Sequence, residues 1–273
     1  MTTRSAVRVE RLKIADLSAL HRLLDREPVQ HAYLRSELRL GIDYAYWWGV
    51  RDGEHLRAVL LAGALAVPCI NDIEDASRFA EIPCADHPPR MIVGHRPSVL
   101  ALRDALLPAR QARDIRDPQP LLVVTRDTPL LDMPSPVRLA TRADVEALTI
   151  AAAAMHREEM GDPMPLDPGA WRSRMTSLVD LGWSWVLTER DTVVFKAELS
   201  AWTPEAAQIQ GVYTHPGRRR HGIATAALAA VCRAVLRQVP VCSLYVNNTN
   251  DSALRLYDRL GFRQAGEFAS VFY

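Results

Sequence analysis

Val212-Tyr213-Thr214-His215-Pro216-Gly217-Arg218-Arg219-Arg220-His221-Gly222-Ile223-Ala224-Thr225 is the stretch on which the fold turns. An apolar strand runs into a basic, glycine-containing loop, and an Ala/Leu-rich helix follows at once. Backbone N–H groups in the first turn of a helix have no partner within it, and the helix dipole adds partial positive charge, so the junction suits a phosphate. Gly222 lets that backbone approach a bulky anion without a Cβ in the way. Arg218, Arg219 and Arg220 add guanidinium charge for phosphate oxygens. Taken alone, a three-arginine run is more often a solvated turn, but the strand–loop–helix setting favours the anion site. G-x-x-x-x-G-K-[ST] is absent, so this is no Walker loop, and G-x-G-x-x-G is absent, so it is no dinucleotide fingerprint.

A second element follows downstream: Leu244-Tyr245-Val246-Asn247-Asn248-Thr249-Asn250-Asp251-Ser252-Ala253-Leu254-Arg255-Leu256-Tyr257-Asp258-Arg259-Leu260-Gly261-Phe262. Arg219-Arg220-His221-Gly222-Ile223-Ala224 resembles the R/Q-x-x-G-x-G/A signature of the GNAT superfamily of N-acetyltransferases, with Ala224 at the third small position. The downstream stretch resembles the superfamily's later N-x-x-A-x-x-x-Y-x-x-x-G-F motif. Both occur in the family's order, and residues 137–273 are identified as a member on that ground.

The resemblance implies an acyl-CoA donor, acetyl-CoA first, and direct attack of an amine on the thioester. It places the pyrophosphate on the amides of Arg219, Arg220, His221, Gly222, Ile223, Ala224 and Thr225. The pantetheine would pair like a short strand with Val212 and Thr214, flanking Tyr213, and Val212 N–H would polarise the thioester carbonyl as oxyanion donors do. Tyr257 is the expected general acid, its phenol having an ordinary pKa of about 10; the plain alternative is a core tyrosine on the apolar stripe of Leu254 and Leu260. Asn250 resembles the family's CoA-contacting asparagine and reads equally as a helix N-cap. Many members carry a glutamate on the strand before the loop, where this chain has Gln208 and Gln210. Glu198, on the adjacent strand, is therefore the expected base, with Glu158, Glu159, His215 and a water route as alternatives. Glu158 and Glu159 open an acidic segment that runs to Asp167, which suits a cationic amine acceptor or is a solvated loop.

A proline cluster, with Pro118, Pro120, Pro129, Pro134 and Pro136, separates two halves and places a linker at about 126–136. The halves repeat weakly. Val7-Arg8-Val9 leads to Ala15-Asp16-Leu17, and Val137-Arg138-Leu139 leads to Ala143-Asp144-Val145. Residues 1–130 lack the basic loop; Val67-Pro68-Cys69-Ile70-Asn71 stands in its place. The whole resembles bacterial tandem proteins with a degenerate first half and an active second half: two GNAT-like domains, 1–130 and 137–273, of mixed α/β class with an α+β mixed sheet. Aminoacyl transfer from tRNA, also known for tandem folds of this kind, is disfavoured by the CoA loop.

The apolar run Ala58–Ile70 reads as a buried strand, too short to span a bilayer. The chain is expected to close with a strand pair from Phe262. A net charge of +1 over 273 residues argues against nucleic acid as a partner. Cys69, Cys84, Cys232 and Cys242 form no C-x-x-C pair, no histidine pairing suggests a metal, and the first residues carry no apolar leader. These features predict a cytoplasmic protein without metal or membrane contact, monomeric or homodimeric. A second class stays open, a non-catalytic acyl-CoA-binding or sensing module.

Overall fold

The computed structural model describes residues 7–42, 46–80, 82, 89–106, 110–161 and 167–273. The expectations for Cys84 and for the acidic segment over 162–166 fall outside these residues. The elements of the first half are β1 (Arg8–Arg11), α1 (Leu17–Leu24), α2 (Ala32–Leu40), β2 (Tyr46–Asp52), β3 (His55–Ala62), β4 (Leu65–Cys69), α3 (Ile73–Ala80), β5 (Met91–His95), α4 (Arg96–Leu106) and β6 (Asp114–Thr125). There follow β7 (Arg138–Leu139), α5 (Val145–Met160), α6 (Pro168–Asp180), β8 (Ser184–Glu189), β9 (Thr192–Trp202), β10 (Ala206–Thr214), α7 (Ile223–Leu236), β11 (Val241–Tyr245), α8 (Asp251–Arg259) and β12 (Arg263–Phe272).

The chain divides into two units. The first holds residues up to Leu122 together with Tyr245–Asp251 and Gln264–Tyr273; the second holds Val123–Leu244 and Ser252–Arg263. Within the first, the strands run β1-β2-β3-β4-β5-β12-β6. β4 and β5 are parallel, and β12 pairs antiparallel with β5 from Phe268–His95 to Phe272–Met91. Its two apolar clusters centre on Trp47 with Leu20, Leu24 and Leu34, and on Ile92 with Val99, Leu102, Ala269 and Val271.

Two expectations change here. The apolar run over 58–70 is two antiparallel strands, β3 and β4, turning at Gly63–Ala64, not one. Both are buried on both faces, so neither alternates and the run looks continuous. The chain ends in the single strand β12, not a pair. Gly266 marks close packing, a side chain there meeting Leu121 at 3.6 Å, and makes no turn.

In the second unit the order is β11-β10-β9-β8-β7. Val186, Val193 and Tyr213 pack with α5 and α6 residues Leu148, Ala152, Met175 and Val179. A register shift between the Leu187–Phe195 and Thr188–Val193 pairs turns Phe195, and by alternation Ala197 and Leu199, to the other face, where α7 lies along β9 and β10 and buries Ala227, Leu228, Val231 and Val235. Each unit opens in the same way. A short strand leads to a single 3-10 turn whose aspartate accepts from a backbone N–H three residues earlier, and a helix continues. Asp16 takes Lys13 N–H at 2.8 Å, and Asp144 takes Thr141 N–H at 2.8 Å.

Candidate active site

The site is built where β10 stops behaving as an ordinary strand. β10 pairs with parallel β11 only from Ala206–Val241 to Gln208–Ser243. Against β9 it shifts once between Gln208–Ala201 and Ile209–Leu199, reaches Gln210–Glu198, then resumes at Tyr213–Lys196, so Gly211 and Val212 oppose one residue. This is a β-bulge, which frees backbone groups from the ladder and re-aims the strand. Gly211 supplies the left-handed residue, φ +60. A side chain there would crowd the buried pair beside it, since a Cβ would stand 2.9 Å from Glu198 Oε2 and 3.0 Å from Lys196 Nζ. Past the bulge, Val212 and Thr214 are half-buried while Tyr213 turns into the core with α5 and α6.

From Thr214 the chain enters a 3-10 turn, Pro216–Arg218, and then the basic loop. Arg220 is left-handed at φ +63 and Gly222 at φ +76, the latter standing as N-cap of the 14-residue α7. Left-handed residues within such a turn aim successive N–H groups into one concavity, a nest for an anion. Gly222 accepts from Ala226 N at 3.1 Å and provides no side-chain cap, so the first-turn amides of Ile223, Ala224 and Thr225 have no capping side chain. Nothing lies within 4 Å of where a Gly222 side chain would start. His221 Nδ1 donates to Arg219 O at 2.7 Å, and His215 Nδ1 accepts from Gly217 N–H at 3.2 Å; each pins the loop backbone.

The three arginines part company. Arg218 pairs with Glu189. Arg219 reaches back: its Nε donates to Thr214 O at 3.0 Å, its Nη2 stands 2.5 Å from Glu158 Oε2, and its guanidinium lies 5.9 Å from the Tyr213 ring centroid. Arg220 makes no ion pair among the described residues. So Arg219 and Glu158, placed by sequence in donor and acceptor roles, neutralise each other. Glu159 is exposed at the end of α5, and its charge, after burial and Cys232, helps push the Tyr257 phenol well above its ordinary value. Tyr257 is 7% exposed and packs against Phe262 with ring centroids 5.5 Å apart.

Glu198 does not stand as a free carboxylate. It is buried, and its Oε1 stands 2.6 Å from Nζ of Lys196, a residue with no solvent exposure. Its carboxylate is engaged by the Lys196 ammonium, so the structure pairs it with a lysine and not with an incoming amine. Lys196 also donates to Gly211 O at 3.1 Å. This lysine escaped the sequence reading, yet a signal exists: Lys196 and Glu198 are two apart in Val193-Val194-Phe195-Lys196-Ala197-Glu198-Leu199, hence on one face of a buried strand. On the same face, Ser200 Oγ donates to Gln208 Oε1 at 3.0 Å, while Gln208 Nε2 and Ser184 Oγ are buried without a hydrogen-bond partner among the described residues. Asn250 lies outside the second unit, in the exposed turn before α8, where its N–H donates to Asn247 O at 2.9 Å.

A cleft of about 740 Å³ in the second unit is elsewhere, lined by Trp183, Trp185, Trp202, Arg138, Arg233 and Arg237 among others. It touches α7 from Ala230 onward, about 12 Å along the helix from Gly222. In the first unit, the parallel pair β4 and β5 and helix α3 repeat the local plan without its chemistry. Asp72 stands before α3 and accepts Glu74 N–H at 3.0 Å, while Arg57 pairs with Asp72 and with buried Asp75. The protein's own carboxylates hold that helix N-terminus, which repels a phosphate. Among the described residues no helix is long and apolar enough to cross a membrane, and no three His, Cys, Asp or Glu side chains gather as a metal set.

Residues 165–262 match the model of the acetyltransferase (GNAT) family, and residues 45–148 match a domain of unknown function, DUF4081. No curated protein matches the chain. Solved structures match over nearly its whole length. An acetyltransferase of the GNAT family from Colwellia psychrerythraea is 13% identical, covering 97% of this chain and 99% of that one with a TM-score of 0.60. A tandem GNAT protein from the clavulanic acid biosynthesis pathway is 13% identical over 97% of this chain and 98% of its own, TM-score 0.59. A GCN5-related N-acetyltransferase from Sphaerobacter thermophilus is 18% identical over 97% and 94%, TM-score 0.61. The fold is that of tandem GNAT proteins, with a divergent first half.

Proposed function

From the premise of a tandem GNAT fold whose second half carries the acetyltransferase family domain, we propose that the chain is an N-acyltransferase that moves an acetyl group from acetyl-CoA to a primary amine of a small molecule or peptide. The observation that carries the reading is the run from the β10 bulge through the left-handed Arg220 and Gly222 to the uncapped start of α7. A backbone released from its ladder, followed within a few residues by an anion nest, suits a ligand with a peptide-like arm and a pyrophosphate.

Acetyl-CoA, when bound, supplies the activated thioester. The chain's residues divide the rest. The amides of His221–Thr225 and the Arg220 guanidinium hold the pyrophosphate, and Val212 and Thr214 pair with the arm. Val212 N–H polarises the thioester carbonyl. A neutral amine attacks the carbonyl carbon, the carbon–sulfur bond breaks, Tyr257 gives its proton to the departing sulfur, and the attacking nitrogen, on becoming an amide, returns a proton to the phenolate. Glu159 attracts a cationic amine and takes its proton through water; Glu158 holds Arg219 against the strand. The first unit, with no anion nest among its described residues, has a structural part. Gln208 and Gln210 in place of a strand carboxylate favour one other reading, acyl-CoA binding without transfer.

Calorimetry with acetyl-CoA on the wild type and on Gly222→Asp tests the donor site. Binding weakened more than about tenfold in the variant is expected, since a carboxylate would meet the phosphates at an already left-handed residue. Absence of binding by the folded wild type overturns the reading. Turnover against an amine panel separates transfer from binding alone; Tyr257→Phe should lower kcat about 100-fold with the acetyl-CoA affinity unchanged.

A further inference from the structure

The buried pair Lys196–Glu198 has no part in an ordinary strand and no role yet in the reaction. A buried ion pair contributes little net stability, because desolvation offsets the attraction, and an apolar pair of similar volume serves a fold as well. Its position is the informative fact. Lys196 Nζ donates to Gly211 O at 3.1 Å, with Glu198 Oε1 at 2.6 Å on its other side. Gly211 C=O and Val212 N–H are the two ends of one peptide group, planar and conjugated. Electron density drawn toward the oxygen leaves the N–H more positive and a stronger donor.

We propose that Lys196 polarises the Gly211–Val212 peptide and so strengthens the hydrogen bond by which Val212 N–H activates the thioester carbonyl, with Glu198 as the positioning residue that holds Lys196 in place. This rests on the acetyl-CoA reading above. Several features serve the arrangement. The bulge takes Gly211 and Val212 out of register with β9, which frees the peptide to turn one end to the ammonium. The missing side chain of Gly211 admits both charged groups, each within 3.0 Å of where a Cβ would stand. Lys196 is fully buried, so water does not compete for its bond to the carbonyl. Hydrogen bonds in series strengthen one another by about 10–30% per bond, more with a charged donor. Glu198 gives the ammonium its counter-charge while leaving the bond to Gly211 O intact.

The test is isotope-edited infrared difference spectroscopy of [1-13C]acetyl-CoA bound to the full chain. The wild type is compared with Lys196→Met/Glu198→Gln, which removes both charges and strands neither. Expected are similar affinities, a carbonyl stretch below the solution value in the wild type, and a shift back toward that value in the variant. A fall in kcat of about tenfold with the KM for acetyl-CoA unchanged should accompany it. Equal frequencies in the two proteins overturn the role of Lys196 and leave the donor site standing. If the variant does not fold, the wild type decides alone: a bound frequency equal to that of free acetyl-CoA overturns the proposal. No binding by the wild type is a different result, and removes the acetyl-CoA reading and this inference together.

Discussion

At the residue scale, Gly222 opens α7 in the left-handed region, so the first-turn amides that follow have no capping side chain. Gly222 announces itself because a glycine between a basic loop and an alanine-rich helix has few other uses. Glu198 was legible only as a nearby carboxylate; that it spends its charge on Lys196, two residues away on the same face of β9, follows from the burial of both side chains. Tyr257 shows the value of the added information. Burial, Cys232 and Glu159 all raise its pKa, so the phenol keeps its proton above the usual tyrosine range. A general acid with a raised pKa loses activity only at a correspondingly higher pH. The expected profile of kcat/KM therefore rises as the acceptor amine loses its proton and then holds level, with no descending limb at pH 10. A limb at the ordinary tyrosine value would show that Tyr257 does not supply the proton.

At the scale of elements, a continuous apolar run can hide the turn between two strands. β3 and β4 fused into one because apolar residues continue through the turn, and β12 runs unbroken from Arg263 to Phe272 where a pair was expected. The openings of α1 and α5 were legible in the paired Ala15-Asp16 and Ala143-Asp144, and the second carries a measurable consequence. Asp144 accepts from both Nη atoms of Arg138 at 2.8 Å, from Thr141 N at 2.8 Å and from Thr141 Oγ1 at 2.9 Å. Arg138 first, then the Thr141 donors, hold its carboxyl well below the usual carboxylate range against the opposing effect of burial. A depressed folded pKa adds stability above the unfolded value, about 3.9, and that stability drains away as the pH falls below it. Asp144→Asn should destabilise the chain by about 1–3 kcal/mol at pH 7. In chemical denaturation at stepped pH, the gap between variant and wild type should narrow below pH 4. A gap independent of pH would mean that the cap acts through packing alone.

At the scale of the whole molecule, the tandem plan was visible in the proline cluster and the repeated strand–turn–helix opening, but the allegiance of the last strand was not. Strand pairing joins residues far apart in the chain, and β12 carries no mark of its partner. The division of the chain assigns Gln264–Tyr273 to the first unit. There Ala269 and Val271, with no solvent exposure, complete the cluster of Ile92, Val99 and Leu102, and the backbone of Phe268–Phe272 closes the exposed edge of β5. Ending the chain at Arg263 removes those buried residues and opens a strand edge, each a known cause of lost stability and aggregation. The expected result is that the first unit unfolds although none of residues 1–122 has changed. Hydrogen exchange reads this directly: amides of β3, β4 and β5 should lose protection in the shortened chain, and residues 1–130 expressed alone should fail to protect them. Protection retained in β5 without β12 would show that the first 122 residues hold their own core, and that the last strand is an addition to that unit and not its closing member.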